Sequence, residues 1–106
     1  MITLETVVVR VKGLQPRQVE AWIEQDLVRP AGRPGAWRFR EIDVERLRLI
    51  QELRRDMALQ EEALPVVLNL LDQLYDTRRR LRRLCDAVDR VAPQDMREAL
   101  SRLLKN

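Results

Sequence analysis

Apolar residues recur at helical spacing along most of the chain, most regularly in its second half. Leu64, Val67, Leu71, Leu74, Leu81, Cys85 and Val88 alternate at intervals of three and four, with Arg78 taking one place in the seam. This is a heptad register of roughly three and a half repeats, and it predicts a long helix over about 61–91. Leu68, Leu70 and Tyr75 widen the apolar face in its first half. Pro65 fits only in or just past the first turn, and Pro93 interrupts the pattern. Met96, Ala99, Leu100, Leu103 and Leu104 then predict a short amphipathic helix over about 94–104.

The first half is made of shorter pieces. Pro16 suits a first helical position, and Val19, Trp22 and Ile23 give residues 16–26 an i, i+3, i+4 stripe. Leu27 and Val28 continue that core contact as the helix ends. Asp43 can cap a third segment, with Val44, Leu47, Ile50 and Leu53 at helical spacing as far as about Arg55. Residues 4–12 are ambiguous. Val7, Val8 and Val9 favour a strand by propensity, whereas Leu4, Val7, Val8 and Val11 fall on one face of a helix. Between the second and third segments lies a stretch rich in Pro and Gly. There Trp37 and Phe39 alternate with Arg38 and Arg40, a pattern that predicts a tight β-hairpin, or wing. The run Asp56–Gln60 breaks the helical pattern, so residues 1–59 read as a domain and 60–106 as a helical extension.

A chain of 106 residues has room for one core but little for an internal catalytic cavity. It contains no histidine, which removes the commonest general base and the commonest metal ligand. Its one cysteine, Cys85, allows no internal disulfide. There is no Gly-rich phosphate loop, and Ser101 and the threonines have no neighbouring base, so an enzyme is not expected and no cofactor or metal is implied. The first residues are too short and too charged for a signal peptide or a membrane span, and the expected location is the cytoplasm. The net charge is +3, but 20 cations face 17 anions and the two signs are interleaved. The exception is the run Arg78–Arg83, whose five arginines spread around a helix with Leu81 facing the core. Asp76 to Arg79 or Arg80, and Arg82 to Asp86, have the spacing of ion pairs along one helix.

Three motifs carry a resemblance. They are V-x-x-W-I-E-x-x-L-V-x-P from Val19 to Pro30, W-x-F from Trp37 to Phe39, and D-V-x-R-L from Asp43 to Leu47. Together they resemble the MerR-like winged helix-turn-helix superfamily. The run from Ala63 to Leu74, together with the chain's small size and helical extension, is similar to the CbpM chaperone-modulator family within it. The resemblance implies an all-α fold: a winged helix-turn-helix with a small β-hairpin wing and a long C-terminal helical extension, in which residues 4–12 form the first helix. It also implies a bacterial cytoplasmic protein that binds the J-domain of a CbpA/DnaJ-like co-chaperone. Such binding inhibits the co-chaperone by occupying the surface that Hsp70 needs.

Charge separates this reading from a DNA-binding regulator of the same superfamily. In a DNA reader the second helix enters the major groove and needs cations near phosphates. Here residues 16–26 carry Arg17 against Glu20, Glu24 and Asp26. Arg33, Trp37, Arg38 and Arg40 on the wing remain candidate phosphate contacts, but a wing without a supporting helix gives poor register on a duplex. Glu20, Glu24, Glu45, Glu52 and Asp56 are the expected partner-binding residues, because J-domains of that family's partners present a basic helix. Glu61 and Glu62 have a simpler role at a helix N-terminus. Trp22 is expected in the core. The heptad seam asks for a partner helix, either a second copy of the chain in a homodimer, which is favoured, or the terminal helix folded back.

Overall fold

The computed structural model describes residues 1–105. Five α-helices follow in order: α1 (Leu4–Arg10), α2 (Pro16–Glu24), α3 (Glu41–Arg55), α4 (Leu64–Val91) and α5 (Gln94–Leu104), with a 3-10 turn at Glu61–Ala63 before α4. The chain forms two compact units, one from Met1 to Leu68 and one from Asn69 onward.

The segment that could have been strand is helix α1. Thr3 caps it, its hydroxyl accepting from the Thr6 N–H at 3.3 Å. Val7 and Val11 are buried while Val9 is exposed, which is the helical face rather than strand alternation. Burying a valine stabilises by about 1.5–3 kcal/mol, against tenths for the helix propensity lost to β-branching. Helix α2 stops at Glu24, two residues short of the expected end. Asp26 takes a left-handed conformation (φ 61°) and the Leu27 N–H reaches back to the Trp22 carbonyl at 2.9 Å. That reversal delivers Leu27 and Val28 into the core.

Helix α3 begins earlier than its sequence signal suggested. Asp43 is not the cap residue but lies in the first turn. Its carboxylate accepts from the Arg40 backbone N–H at 2.8 Å and from the Arg40 guanidinium at 3.2 Å, and it is buried. The core of the first unit gathers Val7, Val19, Trp22, Phe39, Val44, Leu47 and Ile50, closed by Leu64 and Leu68 from the start of α4. The helical break at Asp56–Gln60 therefore does not bound this unit. Pro65, the second residue of α4, has no N–H to lose there.

The expected wing is not a two-stranded hairpin. Two isolated antiparallel bridges take its place, Ala31 with Arg38 and Ile2 with Phe39. Each has two backbone hydrogen bonds, at 2.8–3.0 Å and 2.8–3.3 Å respectively. Inside the loop the Ala36 N–H donates to the Arg33 carbonyl at 2.8 Å, a tight turn. Gly32 (φ 93°) turns the chain so tightly that a Cβ there would stand 2.3 Å from the Ala36 carbonyl oxygen. The first bridge thus closes a loop and cannot extend.

In the second unit, α4 continues to Val91 and α5 follows Pro93. The Arg97 guanidinium donates to the Asp89 carbonyl at 3.0 Å, joining the start of α5 to the end of α4. Neither α5 nor α4 beyond Leu68 has a buried residue. The terminal helix folded back over the seam is therefore not found. Leu81, expected to face a core, is 45% exposed, and Cys85 is half-buried. Asp76 pairs with Arg80 at 3.1 Å and with Arg79 at 3.7 Å, as the spacing suggested, whereas no Arg82–Asp86 pair forms among the described residues. Among the described residues no helix is long and apolar enough to cross a membrane.

Candidate docking surface and wing

The carboxylates expected to bind a partner are all exposed in the first unit, four of them on its helices and Asp56 at the residue that ends α3. Glu20 and Glu24 stand one turn apart on α2, on the side away from the buried Val19 and Trp22. Pro16 and a reciprocal cap hold the start of that helix, with the Gln15 N–H donating to the Gln18 side-chain oxygen at 3.1 Å. Glu52 and Asp56 stand one turn apart at the end of α3. None of these four has a side-chain hydrogen bond or ion pair among the described residues, so each charge is held only by solvent.

Glu45 differs from the other four. It forms an ion pair with Arg48 one turn along α3; the Arg10 pKa is raised first by its hydrogen bond to Glu41, with the Glu45 charge the smallest contribution. Arg10 in turn grips Glu41 with both guanidinium nitrogens, at 2.8 and 3.0 Å, tying α1 to the start of α3. The hydrogen bond from Arg10 holds the Glu41 carboxyl below the ordinary carboxylate range, with the Arg10 and Arg48 charges adding to the effect. Glu45 is therefore one member of a local ion network and is less available to a partner than Glu52 or Asp56.

The wing residues also divide. Arg33 and Arg38 are exposed. Arg40 faces Asp43 through its guanidinium, which raises its pKa, and so is not an open phosphate contact. Trp37, expected as an exposed contact, is half-buried, and Phe39 is fully in the core. Arg29 beside the wing lies 3.8 Å from Asp26.

One polar cluster escaped the sequence reading. The Trp22 indole N–H donates to a Glu61 oxygen at 3.4 Å, and the other Glu61 oxygen pairs with Arg54 at 3.0 Å. The Arg54 guanidinium lies 5.7 Å from the centre of the Trp22 ring. Glu61 thus links α2, the end of α3 and the turn before α4, beyond any role at a helix N-terminus. Only its charge and its position after a break hinted at this.

No group of three or more His, Cys, Asp or Glu residues is placed to hold a metal ion among the described residues. Three short helices with a bridged loop between the second and third, followed by a long helix, define a helix-turn-helix type of domain. The model of the MerR HTH family of regulatory proteins matches residues 2–85, which covers the first unit apart from Met1 and most of α4. The chain belongs to that family. No curated protein and no solved structure matches it.

Proposed function

We propose that this MerR-family chain is a non-enzymatic chaperone modulator of the CbpM kind, which binds the J-domain of a CbpA/DnaJ-like co-chaperone and competes with Hsp70 for it. The observation that carries the reading is the distribution of unpaired charge on the first unit. Helix α2, the element a DNA reader lays in the major groove, offers Glu20 and Glu24 to solvent and one cation, Arg17. Carboxylates in that position repel phosphates and attract a basic helix. Glu52 and Asp56 add a second unpaired acidic pair on α3. The family's DNA-binding role is the competing reading, and the exposed Arg33 and Arg38 favour it.

The test is a titration of the protein against a fluorescently labelled J-domain from the co-chaperone of the same cell, with Hsp70 as competitor. Saturable binding at micromolar concentration or tighter, displaced by Hsp70, is the expected result. Absence of binding, together with affinity for duplex DNA that falls steeply with salt, would overturn the reading in favour of a DNA-binding regulator.

A further inference from the structure

The arginine run of α4 is the densest cationic stretch of the chain. Between Asp76 and Arg83 five arginines stand against one carboxylate. At 3.6 residues per turn, Asp76, Arg79 and Arg83 fall on the side of the helix opposite the seam of Leu71, Leu74, Leu81 and Cys85, with Arg82 at its border. The seam and this side are therefore separate surfaces.

Local pairing neutralises only part of the run. Asp76 takes Arg80 at 3.1 Å and Arg79 at 3.7 Å. Arg82 does not turn to Asp86, the carboxylate one turn further on, and neither Arg82 nor Arg83 has an ion pair among the described residues. Instead both line a shallow cleft together with Arg79 and Asp76. All three arginines are exposed. Like charges round one opening repel one another, and an external anion removes that repulsion.

The chemistry of the donors narrows the anion. A guanidinium presents its N–H donors as a planar fork matched to carboxylate or phosphate. One carboxylate satisfies one fork, and Asp76 is already engaged. Three forks round one cleft ask for an anion with several oxygens and more than one charge, which a chain of phosphates supplies. From Arg79 to Arg83 the rise along the helix is about 6 Å. That is the reach of a di- or triphosphate, whereas register on a duplex is set over roughly 34 Å, one helical turn. We propose that Arg79, Arg82 and Arg83 form a site for a small phosphate-chain anion, a free di- or triphosphate, with Asp76 holding Arg79 at its wall. The site belongs to the second unit and does not depend on the docking surface proposed for the first.

Isothermal titration calorimetry of the full chain at low salt, with inorganic tripolyphosphate as the probe, tests this. The expected result is saturation at about one tripolyphosphate per chain, with orthophosphate weaker by about tenfold or more. Arg79→Gln combined with Arg83→Gln weakens the binding by about tenfold or more. The melting temperature of that variant stays unchanged, because both side chains are exposed. Arg33→Gln combined with Arg38→Gln on the wing leaves the affinity within about twofold. Binding that never saturates, that ignores the α4 substitutions, or that the wing substitutions abolish overturns the site. A short DNA duplex at the same phosphate concentration completes the test, and weaker binding than that of tripolyphosphate is expected. Duplex binding as tight, and lost in the α4 variant, would identify a nucleic-acid surface and overturn the small anion.

Discussion

Reversing the charge of Glu52 and Asp56 together gives a test whose size can be worked out in advance. Both carboxylates are exposed, Glu52 on the last turn of α3 and Asp56 just after it, and neither has an ion partner among the described residues. If a basic helix docks there, each carboxylate gains a pair of the kind that double-mutant cycles place at about 0.2–1 kcal/mol when exposed. Lysine in its place removes that gain and adds a repulsion of similar size. Two such reversals amount to about 0.8–4 kcal/mol, a loss of affinity for the J-domain of roughly fourfold to several hundredfold. The fold itself should not suffer. Carboxylates near a helix C-terminus oppose the macrodipole, so lysines there should leave the melting temperature equal or slightly raised. The assay is the fluorescence titration at two salt concentrations, with thermal melting of the variant as control. The native affinity should fall with salt, and the variant's should fall less. Unchanged affinity in a folded variant would refute the assignment of this face.

Four further outcomes follow from the geometry. Asp43→Ala removes the acceptor of the Arg40 N–H and leaves the buried end of α3 uncapped, so urea unfolding should show a loss of about 1–2 kcal/mol. Leu68→Ala, fully inside the first unit, should cost about 2–5 kcal/mol, while Leu74→Ala should leave the stability of the monomer nearly unchanged; equal losses would place the edge of that core elsewhere. Gly32→Ala should destabilise by about 1–3 kcal/mol, since φ is 93° and the added carbon meets the Ala36 carbonyl, and an unchanged urea midpoint would contradict that turn. The Glu41 carboxyl is depressed in the folded chain, so its bond to Arg10 adds stability above the ordinary carboxylate pKa and loses it as pH falls through the folded value. Melting temperature in acid should therefore fall less steeply in Glu41→Gln than in the native chain.

What the sequence made legible was what a single element determines. The stripes Val19–Trp22–Ile23 and Val44–Leu47–Ile50 placed two helices, and Pro93 marked the boundary between the last two, because periodicity and backbone chemistry act within a few residues. The features missed depend on distant partners. Arg10 and Glu41 are far apart in sequence, as are Trp22 and Glu61, and nothing local announces either pair. The wing forms a single bridge rather than two strands because alternation of Trp37 and Phe39 with arginines says nothing about partners: the chain turns at Gly32, and Phe39 pairs with the distant Ile2 and not across the loop. The heptads were correct as a pattern but did not reveal which turns serve the first core. Leu64 and Leu68 are drawn into it, and Leu68 is not on the seam at all.

The net charge of +3 is a poor guide to what the first unit presents to a partner. Charge that is paired within the fold contributes little field beyond a few ångströms, because each pair is a short dipole screened by water and salt. Arg10 faces Glu41, Arg40 faces Asp43, Arg48 faces Glu45, and Arg54 faces Glu61. Arg46 donates to the Leu27 carbonyl. These cations hold helices and loops together and are not offered outward. The carboxylates they take are those at the start of α3 and before α4, whereas Glu20 and Glu24 on α2, and Glu52 and Asp56 on α3, keep their charge in solvent. Exposed cations of this unit without an ion pair among the described residues are Lys12 after α1, Arg17 on α2, Arg33 and Arg38 on the wing, and Arg55 at the end of α3. Helix α2 is thereby left with two solvent-held carboxylates against the single cation Arg17, and it is on this helix that the proposed preference for a basic partner rests.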